Sequence, residues 1–290
     1  MSQSHDPAAA GRFTFPGTDI SVARMGFGAM QLAGPNAFGL PADPDECRAV
    51  LREAVATGVD HIDTSDYYGP RVTNDLIREA LHPYAPALTL VTKVGAYRDD
   101  AANWLLDRSE KALRAGVHDN LEHLGLDRLD IVNLRMGGPE DDVVAPMQAM
   151  RAMQDEGLVR HIGISNVDAS QLRAARDIAP IVCVQNQYNL VTRGDDALID
   201  MLAEEGIAYV PFFPLGGFSK IQSETLAGIA AELGQSVQSV ALAWLLQRSP
   251  NILLIPGTSR RAHLRDNLSA AALTLDAGTV ARLDAIADQA

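Results

Sequence analysis

The stretch His61–Pro70, HIDTSDYYGP, opens like a β-strand and closes like a turn, yet it holds two aspartates and two tyrosines between positions 63 and 68. Apolar Ile62 beside β-branched Thr64 reads as the end of a short strand, and Gly69-Pro70 marks a turn beyond it. Taken alone, the polar cluster fits a turn whose aspartates bond nearby backbone while the tyrosines cover apolar surface. It fits equally well a set of reactive groups presented at a strand's exit. The rest of the chain has to choose.

Moving outward, similar short apolar runs recur: VARMGFG near 22, LTLVTKV near 88, LDIVNLR near 129, HIGISN near 161, IVCVQNQYN near 181, IAYVPFF near 207 and NILLIPG near 251. Between them lie helical patterns. DPDECRAVLREAVATG opens on an N-cap aspartate and closes on Gly58, and MQAMRAMQDEG closes on Gly157. Strand–helix alternation predicts parallel strands joined by right-handed crossovers. Eight such units in about 250 residues is the size of an α/β fold of the closed (β/α)8 TIM-barrel type, in a single domain. That domain is expected over residues 13–290, behind a flexible tail of residues 1–12. An open doubly wound sheet is the alternative, but GFGAMQLAG lacks the GxGxxG spacing that such a sheet normally carries after an early strand.

Composition narrows the functional classes. The chain has 290 residues, 47% of them hydrophobic, and no apolar run near the 18 residues of a membrane span. MSQSHDPAAA has neither a basic start nor an apolar stretch, so a secretory signal is not expected and a cytoplasmic location is. Cys47 and Cys183 offer no disulfide framework and no metal-ligand spacing, and no HExxH, CxxC or EF-hand pattern occurs, so no metal is expected. A formal net charge of −13 argues against nucleic acid or an anionic membrane as partner, leaving a small molecule, with the chain a monomer or a weak homo-oligomer. Local basic clusters such as Arg260-Arg261 could still hold one phosphate.

In a barrel, the residues that end each strand line one rim, where the active site lies. HIDTSDYYGP then acquires company. Gly28, Ala29 and Met30 follow the first strand, Asp63 and Tyr68 the second, Lys93 the third and Arg135 the fourth. Ser165 and Asn166 follow the fifth, Gln185 and Asn186 the sixth, and Phe212 to Gly217, including Pro214, Leu215 and Gly216, the seventh. After the eighth comes IPGTSRRAHLRDNL, with Ile255, Gly257, Thr258, Ser259, Arg260, His263 and Asn267.

A phenol has a pKa near 10, and a nearby ammonium lowers it. Lys93 can supply that ammonium and Asp63 can hold it in place, making Tyr68 a proton donor to a carbonyl oxygen. A purely structural buried Asp–Lys pair beside a packed tyrosine fits the same spacing. With no metal site, Cys–His pair or GxSxG elbow, carbonyl reduction is the chemistry such a donor would serve. Side chains at successive strand ends, Ser165, Asn166 and Gln185, suit a carboxamide, and Phe212 suits stacking on its ring. The glycines, hydroxyls and arginines after the eighth strand suit phosphate.

These residues resemble the aldo-keto reductase superfamily: DTSDYYG for DT-x-x-x-YG, VTK for the third-strand lysine, GISN, VQNQYN, and IPGTS followed by Asn267. The resemblance runs from about Phe13 to the C-terminus. It implies a (β/α)8 barrel that binds NADPH without a Rossmann domain, with Tyr68 as donor, Lys93 and Asp63 as its activators, Ser165, Asn166 and Gln185 at the nicotinamide carboxamide and Phe212 against the ring. Tyr67 and Asp66 then become pocket wall and turn. Arg135 departs from the pattern, since most members carry histidine there; a guanidinium stays charged and cannot relay protons. GAMQLAGPNAFG, HIDTSDYYGPRVTN, LDIVNLR, YVPFFPLGG and LLQRSPNILLIPGTS resemble the bacterial members that reduce pyridoxal with NADPH. The expected function is therefore pyridoxal reduction, with a broad aldehyde and ketone reductase as alternative. A nucleotide-sensing partner protein like the family's potassium-channel subunits is a further one.

Overall fold

The computed structural model describes residues 5–217 and 221–287. In chain order the strands are β1 Arg12–Thr14, β2 Ser21–Ala23, β3 Phe27–Gly28, β4 His61–Asp63, β5 Thr89–Val94, β6 Ala96–Arg98, β7 Trp104–Leu106, β8 Leu129–Arg135, β9 Val159–Ser165, β10 Ile181–Gln185 and β11 Ala208–Tyr209. The helices are α1 Pro44–Ala56, α2 Val72–Leu81, α3 Glu110–Leu124, α4 Val144–Asp155, α5 Ala169–Arg176, α6 Asp196–Glu204, α7 Glu224–Leu233, α8 Val237–Arg248, α9 Arg261–Ser269 and α10 Ala277–Asp284.

One sheet runs β11-β10-β9-β8-β5-β4-β3, and every pairing in it is parallel. The run at 251–255 closes it. Leu253 N–H donates to Tyr209 O at 2.9 Å on one side, while Leu254 N–H donates to Arg24 O and Gly26 N–H to Leu254 O, both at 2.8 Å, on the other. The eighth expected strand is thus a pair of isolated parallel bridges, Met25 with Leu254 and Tyr209 with Ile252, because Pro256 has no N–H to extend the ladder. The cylinder is closed all the same. Expected helix ends are found where the caps fall: the Asp43 carboxylate accepts Glu46 N–H at 2.9 Å to open α1, and Gly58 and Gly157 take positive φ after α1 and α4.

The first expected strand, VARMGFG, is divided. Ser21–Ala23 pairs antiparallel with Arg12–Thr14, and only Phe27–Gly28 joins the barrel. Arg12 and the Ala23 N–H both reach Asp60, at the amino-terminal entry to β4, so this hairpin covers the barrel's amino-terminal end. Phe15, Ile20 and Val22 join Val91, Ile131, Val182 and Leu253 in the interior cluster, each large side chain stabilising by roughly 1.5–3 kcal/mol when buried. Regular structure also occurs within the expected tail. Pro7–Ala10 is a short 3-10 helix with Pro7 buried and Asp6 accepting from Ala8 N–H; residues 1–4 lie outside the described residues. A second, larger cluster fills the space between strands and helices.

Alternation along the strands assigns each side chain to one layer or the other. Ile62, Leu90 and Val94 pack outward against helices, and Val91 and Ile131 point inward. Gly163 has to be glycine because a Cβ there would lie 2.1 Å from Asn133 Oδ1 and 2.5 Å from Cys183 Sγ inside the barrel. Neither cysteine is in a disulfide, and burial pushes the Cys183 thiol up to about 12. Among the described residues no single helix is long and apolar enough to cross a membrane.

Candidate active site

The inward positions at the carboxyl ends of neighbouring strands carry polar groups, and these meet. Lys93 Nζ donates to Asp63 Oδ1 at 2.5 Å and to the Thr64 carbonyl at 2.9 Å. Gln185 Nε2, from β10, donates to Asp63 Oδ2 at 2.8 Å. Both carboxylate oxygens are therefore engaged, and the two ions, each about 5% exposed at the side chain, neutralise one another. Removing one partner would strand a buried charge at a cost of about 3–5 kcal/mol.

Tyr68 lies beside this pair, with Lys93 Nζ 5.0 Å from its ring centroid. Tyr67 packs edge-on at 5.2 Å and Trp104 at 6.5 Å. The sequence leads one to expect that Lys93 lowers the phenol's pKa; the structure reverses the direction. Burial pushes the Tyr68 hydroxyl above its ordinary value, Asp63 adds to the rise, and Arg135 opposes it. The Lys93 charge is already paired with Asp63, so it does little to offset that rise. The arrangement keeps Tyr68 a protonated donor.

Arg135 ends β8. Its Nη1 donates to Ser165 Oγ at 3.2 Å and its guanidinium carbon stands 4.9 Å from the Phe212 ring centroid. One face of the expected stacking ring is thus taken by a cation from the chain itself.

Around these residues opens a cavity of about 980 Å³, room for a dinucleotide's reactive end and a small substrate together. Asp63, Tyr68, Lys93, Arg135, Gln185 and Phe212 line it, as do Gly28, Met30, Pro214, Leu215, Ile255, Gly257, Thr258, Ser259, Arg260, His263 and Asn267. Ala29, Ser165, Asn166 and Gly216 do not. Ser165 is buried beneath Arg135, and Asn166, at φ 62°, donates its amide to the Met136 carbonyl at 3.1 Å. Glycine is required at positions 28 and 257, where each Cβ would strike the other strand's backbone at 2.4–2.5 Å. Gln185 Oε1 is buried without a hydrogen-bond partner among the described residues.

The arginines at α9 are not equivalent. Glu46 of α1 accepts from both the backbone N–H and the side chain of Arg261, and Glu53 binds Arg265 at 2.6 Å. Arg260 makes no ion pair among the described residues, and it lines the cavity with His263.

Residues 96–106 belong to the site without any motif to announce them. They form a β6–β7 hairpin after β5, and Trp104 and Leu106 at its end line the cavity. Arg98 holds the hairpin: its guanidinium lies between Phe38 at 5.2 Å and Trp104 at 3.9 Å and donates to the Asn36, Ala37 and Ala102 carbonyls. The available signal was NWLL, an aromatic and two leucines in an otherwise polar connection.

Asp66, expected only as a turn residue, has its carboxyl pushed up to about 7 by burial, with Asp119 adding to the rise against hydrogen bonds from Ser65 and Asn120. A carboxyl raised in the folded state favours folding at low pH and loses that contribution as pH climbs from about 4 to about 7. Asp66→Asn is therefore expected to raise the melting temperature by an amount that grows across that window and is constant above it. Thermal melts at pH 4, 6 and 8 check this; a gain independent of pH would refute the burial of this carboxyl.

Comparisons with known proteins bear on the family and the fold. The chain matches the profile of the Aldo/keto reductase family over residues 24–288. It is 58% identical over 272 residues to pyridoxine 4-dehydrogenase of Escherichia coli, covering 92% of this chain and 95% of that one. It is 37% identical to an uncharacterized oxidoreductase of Schizosaccharomyces pombe, covering 92% and 87%. Among solved structures, a thermostable aldo-keto reductase in complex with the inhibitor epalrestat superimposes with a TM-score of 0.81 at 28% identity, covering 95% and 99%. An aldo/keto reductase from Klebsiella pneumoniae in complex with NADP and acetate superimposes with a TM-score of 0.79, covering 95% and 94%, at 22% identity, which bears on the fold alone.

Proposed function

The chain belongs to the aldo/keto reductase family, and from that premise we propose that it reduces pyridoxal to pyridoxine with NADPH. The observation that carries the reading is the meeting of Tyr68, Lys93 and Asp63 in one cavity wall, beside Arg135. The 58% identity to a pyridoxine 4-dehydrogenase supplies the substrate class.

The residues present fit the cofactor. Gln185 Oε1 is a buried acceptor with no partner among the described residues, suited to an amide N–H, and Arg260 and His263 stand ready for a phosphate at the start of α9. NADPH, when bound, supplies hydride to the aldehyde carbon. As the carbonyl oxygen gains charge, Tyr68 gives it the hydroxyl proton, so that the aldehyde leaves as a primary alcohol. Arg135, whose charge opposes the rise at the Tyr68 hydroxyl, offsets the charge that develops on the two oxygens, while Lys93, fixed by Asp63 and the Thr64 carbonyl, sits against the Tyr68 ring and holds it in place. Arg135 also suits pyridoxal's ionisable phenol, which lies next to the aldehyde. Two thiols outside any disulfide accord with a reducing compartment, and a cytoplasmic enzyme acting on a small aldehyde is part of the same proposal.

The test is cofactor consumption with pyridoxal, with benzaldehyde and with no aldehyde, under NADPH and NADH. Turnover of pyridoxal with NADPH at a higher specificity constant than benzaldehyde is the expected result. Failure to turn over pyridoxal, with benzaldehyde reduced well, would leave a broad aldehyde reductase, which the apolar surface of Trp104, Leu106 and Ile221 would also serve. In the same assay Arg260→Ala should weaken NADPH about tenfold and NADH by less than twofold, while Arg261→Ala, its charge already spent on Glu46, should change their ratio little.

A further inference from the structure

Each inward residue of the Asp63–Lys93 pair has an outward neighbour on its own strand or at its exit. Thr64 follows Asp63 and Thr92 precedes Lys93, so alternation turns both hydroxyls toward α2 and α3. There they enter a buried polar chain. Thr64 Oγ donates to Asn74 Oδ1 at 2.8 Å, Asn74 Nδ2 donates to Asn120 Oδ1 at 2.9 Å, and Thr92 Oγ donates to the same Asn120 oxygen at 2.5 Å. Asn120 Nδ2 is anchored on the Gly116 carbonyl at 2.8 Å. All four side chains are at most 1% exposed. Hydrophobic residues would fill such a layer more simply, since half-satisfied polar groups there are costly. The chain does something packing alone does not: it ties the exit of β4 to β5 at the residues that flank the catalytic pair, and Thr64 lends its own carbonyl to Lys93 Nζ.

We propose that Thr64, Asn74, Thr92 and Asn120 form a brace whose task is to hold Lys93 and Asp63 in register, and that Thr64 is a positioning residue for the reaction. The inference rests on the catalytic roles assigned above. In the braced state the Thr64 peptide cannot rotate its carbonyl away from the ammonium without breaking the hydroxyl's bond to Asn74. Freed, that carbonyl can swing by tenths of an ångström and Lys93 follows it, while the cofactor's surface of the cavity is untouched.

The test compares Thr64→Val, which keeps volume and removes the hydroxyl, with Thr64→Ser, which keeps the hydroxyl and removes a methyl. Thr64→Val is expected to lower kcat about tenfold, since displacement by about 1 Å costs on the order of 100-fold. KM for pyridoxal and Kd for NADPH, read by fluorescence titration, should stay within about twofold. Thr64→Ser should recover most of the loss. Thr92→Val reads the same brace from β5, at a strand position where valine is well tolerated, and should lose roughly threefold with the same split. The brace is overturned if Thr64→Val and Thr92→Val both keep wild-type kcat, or if Thr64→Ser falls as far as Thr64→Val. Lys93→Met is run alongside: if it keeps turnover, the catalytic assignment itself is wrong, whereas its loss beside intact Thr64→Val and Thr92→Val condemns the brace alone.

Discussion

Tyr68→Phe is expected to cost roughly 10²–10⁴-fold in kcat for pyridoxal reduction, the usual worth of a positioned general acid, with NADPH affinity unchanged. The substitution is a narrow one. Phenylalanine keeps the ring's edge-on contacts with Tyr67 and Trp104 and its place beneath the Lys93 ammonium, and the Asp63–Lys93 pair does not depend on the hydroxyl. Only the proton is removed. Because burial keeps the phenol above its ordinary pKa, the wild type holds that proton throughout the neutral range and the comparison is not blurred by partial ionisation. Single-turnover rates and NADPH titration of the variant decide the matter: turnover within a few-fold of wild type would remove Tyr68 from the mechanism, and a large loss of NADPH affinity would make it a binding residue instead.

Much of this site was legible because barrel geometry converts sequence position into spatial position. Asp63, Lys93, Arg135 and Gln185 are separated by tens of residues, yet each is the last or next-to-last residue of a strand, and strand ends share a rim. Periodicity alone was sufficient to bring them together. It was insufficient where the chain leaves the strand–helix pattern. VARMGFG reads as one strand because only Arg24 interrupts its apolar residues, but the hairpin partner that claims Ser21–Ala23 lies ahead of it, in a stretch expected to be at the edge of a tail. The Ala96–Arg98 and Trp104–Leu106 hairpin is short and interrupted by polar residues, so it carried too weak a strand signal to be seen over the cavity. Arg260 and Arg261 were indistinguishable in sequence; what separates them is Glu46, distant in the chain and close only because α1 packs against α9. The direction of the Tyr68 shift was hidden for a similar reason, since it turns on how deeply the folded chain buries the phenol and on the Asp63 charge beside it.

Arg135 carries the largest substrate-dependent effect. Its guanidinium is held on two sides, by Ser165 Oγ at 3.2 Å and the Phe212 ring at 4.9 Å, and it enters the cavity whose wall includes Tyr68. A cation so fixed can pair with a phenolate oxygen and an aldehyde oxygen that lie side by side. Losing such a charge-assisted contact in a partly dry pocket costs on the order of 2 kcal/mol, roughly thirtyfold in the specificity constant. Arg135→Met is therefore expected to reduce kcat/KM for pyridoxal about thirtyfold and for benzaldehyde, which lacks the phenol, only a few-fold. Arg135→His should shift preference toward benzaldehyde, because a largely neutral imidazole near pH 7 can still hydrogen-bond one carbonyl but no longer attracts a phenolate. The effect should also grow with pH through the ionisation of the substrate's phenol, where the wild type gains an ion pair and the methionine variant does not. Specificity constants of the three proteins for both aldehydes, measured at two pH values, give the answer: unchanged ratios would mean that Arg135 does not read the phenol, and the preference for pyridoxal would then have to come from the Trp104 side of the cavity.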